Sequence, residues 1–137
     1  MGLVRANLEL INAGDLEMMR RNLMKQDEVR SIAVDSLVDS GAYMMVIPET
    51  VRLQLGTEIV AHEIAEYANG DSEKVPVAGP IEVRFANRRT VVDAMVLGNE
   101  VLLGSIPMEA MDVIVHPRTQ ELIVNPENPT MPKMVVK

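Results

Sequence analysis

The chain has no cysteine and no tryptophan, and only Tyr43, Tyr67 and Phe85 are aromatic. The lack of cysteine excludes disulfide bonds, thiol nucleophiles and thiolate metal ligands, and it is typical of a reducing compartment. Because large aromatic side chains are so few, the core must be aliphatic. We expect the 11 methionines to fill gaps in it.

Positive charge and long apolar runs are also scarce. A net charge of −7 argues against binding to nucleic acid or to an anionic membrane. No apolar run approaches the length of a transmembrane helix, and residues 1–6 lack the apolar stretch of a secretory signal. Gly2 would suit myristoylation, but Ala6 stands where Ser or Thr is required. We therefore expect a soluble cytoplasmic protein that does not use a membrane.

Short apolar stretches alternate with turn residues along the whole chain. Strands are expected at residues 3–11, 29–38, 42–47, 57–68, 73–85, 90–97, 101–103, 112–115 and 120–124. Short helices are expected at residues 16–25 after an Asp15 cap, at 48–55 before Gly56, and at 106–111 after a Ser105 cap. This pattern predicts a mostly-β barrel with two or three short helices.

Two turns stand out between the expected strands. Asn69-Gly70 is a strong hairpin signal because both residues tolerate positive φ. A second turn at residues 87–89 is surrounded by Arg84, Arg88 and Arg89, which we expect to be solvated.

The most informative segment is Asp39-Ser40-Gly41, which follows an apolar strand and places one carboxylate at the tip of a tight turn. The second is residues 101–107, VLLGSIP, whose Gly104 lies 104 − 39 = 65 residues further on. Together the two segments resemble the signatures of the retropepsin-like (retroviral-type) aspartic proteases. In that family an Asp-Thr/Ser-Gly catalytic loop is followed by an apolar-apolar-Gly segment leading into a short helix. The resemblance extends from about residue 3 to residue 124 and is to the small bacterial and archaeal members.

The resemblance implies one retropepsin-like domain over residues 1–137, a barrel equivalent to half of a pepsin-type bilobal fold, with an extended proline-rich tail from about residue 125. Aspartic proteases need two carboxylates about 3 Å apart that share one proton. The chain carries Asp-Ser-Gly once, so the second Asp39 must come from another copy in a twofold dimer. In such dimers the chain termini interleave into a shared sheet, and residues 134–136 are apolar enough to do so.

The implied activity is aspartic endopeptidase action on an extended peptide or protein substrate, without a metal or organic cofactor. The implied catalytic residues are Asp39, as the carboxylate, Ser40, which would hydrogen-bond across to the partner loop, and Gly41, which would offer an N–H to the carboxylate. Gly104 would let the preceding strand pass behind this loop without a Cβ clash. Tyr43 is bulkier than the residue that the family pattern leads us to expect at this position. It could line a substrate pocket or fill space below the loop.

Substrate binding is implied for Ala42, beside the catalytic loop, and for Asn69, Gly70 and Asp71. These last three lie in the hairpin that would close over the substrate as a flap.

Other interpretations remain open. Asp, Ser and Gly are ordinary turn residues, so the same fold could bind a peptide or partner protein without turnover, or be purely structural. Intact Asp39-Ser40-Gly41 favours the enzyme. Residues 62–66, HEIAE, are similar to the His-Glu-x-x-His zinc motif but have Glu66 in place of the second His. They also lie in an expected strand, where positions four apart cannot chelate one ion, so we expect His62 and Glu63 to be a surface pair.

Overall fold

The computed structural model describes residues 3–136, and these form nine strands and three α-helices. The strands are β1 (Arg5–Asn12), β2 (Ser31–Val38), β3 (Met45–Ile47), β4 (Glu58–Glu66), β5 (Ser72–Phe85), β6 (Arg88–Val96), β7 (Val101–Leu103), β8 (Val113–Val115) and β9 (Leu122–Val124). The helices are α1 (Ala13–Arg20), α2 (Glu49–Leu55) and α3 (Ser105–Met111), with a short 3₁₀ turn at Gln26–Glu28.

Seven strands form one sheet in the order β1-β2-β7-β3-β6-β5-β4, and β1 also pairs with β5. That extra pairing closes a six-stranded barrel and leaves β4 outside the ring, where it pairs with β5 as a projecting hairpin. The prediction of a mostly-β barrel with two or three short helices is confirmed. Across the described residues, no helix is both long and apolar enough to cross a membrane.

The strand directions bring the two informative segments together. β2 and β7 run parallel, with Val38 opposite Leu103. Because parallel strands end at the same edge of a sheet, the loops that follow β2 and β7 lie side by side. β3 then returns between β7 and β6, antiparallel to β7 and parallel to β6.

The barrel interior is aliphatic, as predicted. Its fully buried side chains include Leu10, Met45, Ile47, Leu55, Ile81, Val83, Leu103 and Met111. The expectation for the methionines is only partly right, because Met18, Met131 and Met134 are exposed.

The start of α1 differs from the prediction. Asn12 is the N-cap, and its Oδ1 accepts the N–H of Asp15 at 3.0 Å. Asp15 therefore does not cap the helix. The helix also ends at Arg20 and not near residue 25, because Asn22 adopts a left-handed conformation with φ of 61°. Leu23 N–H then bonds back to Met18 O at 2.9 Å, the bond pattern of a Schellman ending.

A glycine caps one end of each of the other two α-helices. α2 ends at Gly56, whose φ of 68° suits glycine, as predicted. Ser105 was expected to cap α3, but it lies inside the helix and Gly104 occupies the N-cap position.

The arginines near the β5–β6 turn are not all solvated. Arg88 is 2% exposed, so the prediction for it is wrong. Its guanidinium donates to Asn128 O and lies 3.9 Å from Asp112. The tail from residue 125 packs over this arginine, a contact across 40 residues that local sequence patterns cannot reveal.

Candidate functional site

The loop after β2 holds Asp39 in a defined position. The N–H of Asp39 donates to Leu103 O at 3.0 Å, which ties the loop to the end of β7. The N–H of Gly41 donates to Asp39 Oδ1 at 3.0 Å, and the N–H of Ala42 donates to Asp39 O at 3.1 Å. The tight turn and its N–H to the carboxylate are therefore present. A Cβ on Gly41 would lie 3.2 Å from Asp39 Oδ1, so glycine also leaves room for that carboxylate.

The loop after β7 is hydrogen-bonded to the segment that follows the Asp-Ser-Gly turn. The N–H groups of Ser105 and Ile106 donate to Ala42 O at 2.8 Å and Tyr43 O at 3.0 Å. A Cβ on Gly104 would lie 2.4 Å from Met44 O and 2.7 Å from Tyr43 O. Gly104 therefore permits a close approach of two backbones, here to the segment just after the Asp-Ser-Gly turn.

Asp39 opens into a cleft of about 1250 Å³. Its walls are the loop from Asp39 to residue 44, the end of β4 with residues 67 and 68, the outer side of β6, and the start of α3. Apolar side chains supply much of the wall: Ile64, Val91, Leu97, Leu102 and Ile106. A volume of this size accommodates a ligand of several residues.

The structure brings only some of the sequence-predicted residues together. Asp39, Gly41 and Ala42 line the cleft. Ser40 is exposed beside Asp39 but does not line the cleft, and its hydroxyl makes no hydrogen bond within residues 3–136. Tyr43 lines the cleft and is 77% exposed, so it does not fill space below the loop.

The other implied substrate-binding residues lie at the tip of the β4–β5 hairpin. Asn69, Gly70 and Asp71 are outside the lining of the cleft, whereas Tyr67 and Ala68 belong to it. The turn is closed by Tyr67 N–H to Asp71 O at 2.8 Å and Gly70 N–H to Tyr67 O at 2.9 Å. Gly70 alone of these residues has a positive φ, at 89°. A hydrogen bond from Tyr67 Oη to Glu73 raises the pKa of Tyr67, so this hydroxyl remains a donor.

Several lining residues were missed by sequence reasoning. Glu63 and Glu66 of β4 and Asp93 of β6 line the cleft, as does Asp39. Glu63 and Glu66 are three positions apart in one strand and project to opposite faces, so no alternating pattern selects both. Asp93 depends on the strand order, which places β6 between β3 and β5, and no local signal carries that order.

Metal binding finds no support in this region. Among residues 3–136, no cluster of three or more His, Asp or Glu side chains is placed to hold a metal ion. His62 and Glu63 are both exposed on β4, as expected, and as adjacent strand residues they project to opposite faces.

Compared with known proteins, the chain matches no family model and no curated protein. Its function must therefore be inferred from its own residues and their geometry.

Proposed function

We propose that this protein is a homodimeric aspartic endopeptidase of the retropepsin-like type, in which Asp39 of each copy supplies one of the two catalytic carboxylates. The observation that carries the proposal is the position of Asp39. Its carboxylate is held by the N–H of Gly41 at 3.0 Å and opens into the cleft beneath the β4–β5 hairpin. The catalytic residues are Asp39, Ser40 and Gly41.

The chemistry requires the two carboxylates to differ in charge. The charged one removes a proton from a bound water, which attacks the carbonyl carbon of the peptide. The neutral one donates its proton to the carbonyl oxygen. The tetrahedral intermediate then collapses as the first carboxyl passes the proton taken from water to the leaving nitrogen, which releases the amine, and a hydroxyl of the intermediate returns a proton to the second carboxylate. Since two like charges at such a distance do not both ionise readily, the pair titrates as a unit.

Dimer formation is supported by the exposure of the loop and of the chain ends. Ser40 and Gly41 are exposed, so the same loop of a second copy can approach across a twofold axis. Leu3, Val135 and Val136 are 74%, 86% and 90% exposed, an apolar surface that a second chain would cover. The resemblance to retropepsins implies that the termini lie in that interface.

The cleft suits an extended peptide. β4 is the last strand of the sheet and borders the cleft, so its outer main-chain groups can pair with a substrate strand. The tip of the hairpin, at Asn69, Gly70 and Asp71, would close over the bound chain as a flap. Neither a metal nor an organic cofactor has a role in this mechanism, and the lack of cysteine fits action in the cytoplasm.

The test is cleavage of a broad peptide library, from acidic to neutral pH, at concentrations that favour the dimer. We expect wild-type protein to cleave with a bell-shaped pH dependence whose limbs belong to the carboxylate pair. Asp39→Asn should abolish cleavage and keep the fold, because asparagine matches aspartate in size but can neither accept the proton from water nor donate one.

Circular dichroism and sedimentation of Asp39→Asn provide the control for fold and assembly. Cleavage that persists in Asp39→Asn would contradict the mechanism. Peptide binding without cleavage by wild type would indicate a non-catalytic binding domain.

A further inference from the structure

We propose that Glu63, Glu66 and Asp93 make the cleft selective for extended peptides that carry lysine or arginine next to an apolar residue. The inference rests on the proposed protease function and names its substrate class. The three residues act on specificity, and the reaction is assigned to the loop of Asp39, Ser40 and Gly41.

The first observation is the charge of the cleft wall. Four acidic residues line it, Asp39, Glu63, Glu66 and Asp93, whereas no lysine, arginine or histidine of the described residues does so. None of the four is in an ion pair within 4.0 Å in the part of the chain that the structure describes. Their negative charge is therefore not neutralised within the chain, and it attracts a cationic ligand.

The second observation is the free edge of β4, which does not depend on charge. β4 pairs with β5 only, and its residues 63–66 form one rim of the cleft. An unpaired strand edge is a template for an added strand, whose main-chain groups it binds at alternate positions. Apolar side chains of the added strand would meet Ile64, which is 65% exposed.

Charge complementarity selects the occupant of this edge. A second β4 would bring another strand that carries Glu58, Glu63 and Glu66 and no lysine or arginine beside this one, and like charges on neighbouring strands are destabilising. An acidic peptide meets the same repulsion. A peptide with lysine or arginine gains attraction from the same groups, and a twofold dimer would present each of them twice.

The test measures binding separately from cleavage. The full-length Asp39→Asn protein is titrated, at dimer-forming concentration, into three labelled peptides that share an apolar centre and carry lysine, glutamine or glutamate on both sides. Fluorescence anisotropy should show tightest binding of the lysine peptide and weakest binding of the glutamate peptide. The preference should shrink as salt is raised toward 1 M, where screening shortens to about 3 Å.

Charge removal identifies the residues responsible. Glu63→Gln, Glu66→Gln and Asp93→Asn, each added to Asp39→Asn, should weaken lysine-peptide binding by about threefold, the usual size of an exposed ion pair. The triple substitution should remove the preference. Glu121→Gln is the matched control, because it makes the same change in net charge in the exposed loop between β8 and β9.

The outcomes separate this inference from the protease proposal. Equal affinity for the three peptides, no binding of any of them, or an equal effect of Glu121→Gln would overturn the charge selectivity. A lysine preference that the triple substitution removes would support it. Wild-type protein that binds the lysine peptide selectively but never cleaves it would overturn the protease proposal and leave the selectivity standing.

Discussion

At the scale of single residues, Asp15 shows how one carboxylate can hold two distant segments together. Its side chain is 7% exposed and accepts three hydrogen bonds from Arg30, from the main-chain N–H at 3.1 Å, Nε at 2.8 Å and Nη2 at 2.9 Å. Hydrogen bonds from the Arg30 guanidinium lower the pKa of Asp15, and burial opposes them more weakly. The pair joins the first turn of α1 to the start of β2.

The Asp15–Arg30 pair predicts that the free energy of unfolding falls at acidic pH. Because the pKa of Asp15 is lower in the folded state, its stabilisation is complete above the ordinary value of 3.8 and is lost as pH falls through the folded-state value. Asp15→Asn should cost about 2 kcal/mol near neutral pH, as expected for lost hydrogen bonds to a charge. It should also flatten the fall in unfolding free energy below the ordinary pKa of aspartate.

Urea unfolding at several pH values measures both effects. Asp27→Asn is the matched control, since Asp27 is exposed in the 3₁₀ turn. An acid dependence in Asp15→Asn equal to that of wild type would show that other carboxylates dominate.

Glu82 is a second buried carboxylate, and it is paired with more than one arginine. Glu82 is 1% exposed and accepts hydrogen bonds from Arg84 Nε at 2.7 Å and Arg89 Nη2 at 2.9 Å. Burial raises its pKa, but the hydrogen bonds from the two arginines outweigh burial and the pKa of Glu82 is lowered. The buried charge is therefore paired on the outer side of the barrel, away from the cleft residues.

At the scale of elements, the β4–β5 hairpin is the part that must move if the chain is a protease. Most of β4 is exposed, whereas Ala65 on β4 and Val75 and Val77 on β5 are buried, so the outer end of the hairpin is the part that can open at low cost. Gly70 at its tip has φ of 89°, and a Cβ there would meet no atom within 4 Å. A substitution at Gly70 therefore acts on the turn itself and not on its neighbours.

Gly70→Val is expected to impair turnover more than folding. Valine disfavours positive φ, so the turn should change shape while global stability falls by only about 1 kcal/mol. If closure of the flap precedes cleavage, kcat/KM should fall by roughly tenfold or more. Gly98→Val is the matched control, because Gly98 has φ of 72°, equally open surroundings and a position in the β6–β7 loop.

Equal losses of activity in Gly70→Val and Gly98→Val would mean that the hairpin has no special role in turnover. A severe loss of stability in Gly70→Val alone would place the hairpin in the core and exclude a flap.

The elements also show how far sequence patterns reach. β7 and α2 with its Gly56 ending were predicted because an apolar run and a left-handed glycine are local signals. The start of α1 was misplaced because Asn12 and Asp15 are both good N-cap residues, and only the tertiary contact of Asp15 with Arg30 decides between them.

The candidate site was predictable to a similar extent. Asp39 and its turn follow from local sequence, and Gly104 follows from the second segment of the resemblance. The contribution of Asp93 to the cleft depends on the order of strands, and the burial of Arg88 depends on a tail 40 residues away. Contacts between distant parts of the chain decide the positions of Asp93 and Arg88, and the sequence around each residue does not predict those contacts.

At the scale of the whole molecule, the tail from residue 125 is fixed to the barrel by polar contacts. Asp112 accepts hydrogen bonds from Asn125 Nδ2, Asn128 Nδ2 and the N–H of Lys133 at 3.0, 2.8 and 3.1 Å. These bonds, with that from Arg88, fix the tail against the barrel up to residue 133. Beyond it, Met134, Val135 and Val136 are exposed. The fixed part of the tail is therefore followed by a short exposed apolar stretch, which a second copy would cover in the proposed dimer.

This arrangement predicts that activity depends on protein concentration. Specific activity should fall on dilution as the dimer dissociates, because a single chain holds only one Asp39. The double substitution Val135→Ser with Val136→Ser should raise the dimer dissociation constant by roughly ten- to hundredfold, as expected when burial of two valines is lost. Folding should be unaffected, since both side chains are exposed in the single chain.

Sedimentation velocity and peptide cleavage, measured over the same concentration range, test the prediction together. Met131→Ser is the matched control, because Met131 is also an exposed apolar residue of the tail, 68% exposed, but precedes Lys133. Activity lost in the double variant at low concentration should return at high concentration, where mass action restores the dimer. A dimer unaffected by the double substitution would move the interface away from the chain end. Full activity in a protein that stays monomeric at high micromolar concentration would contradict a catalytic pair built from two copies of Asp39.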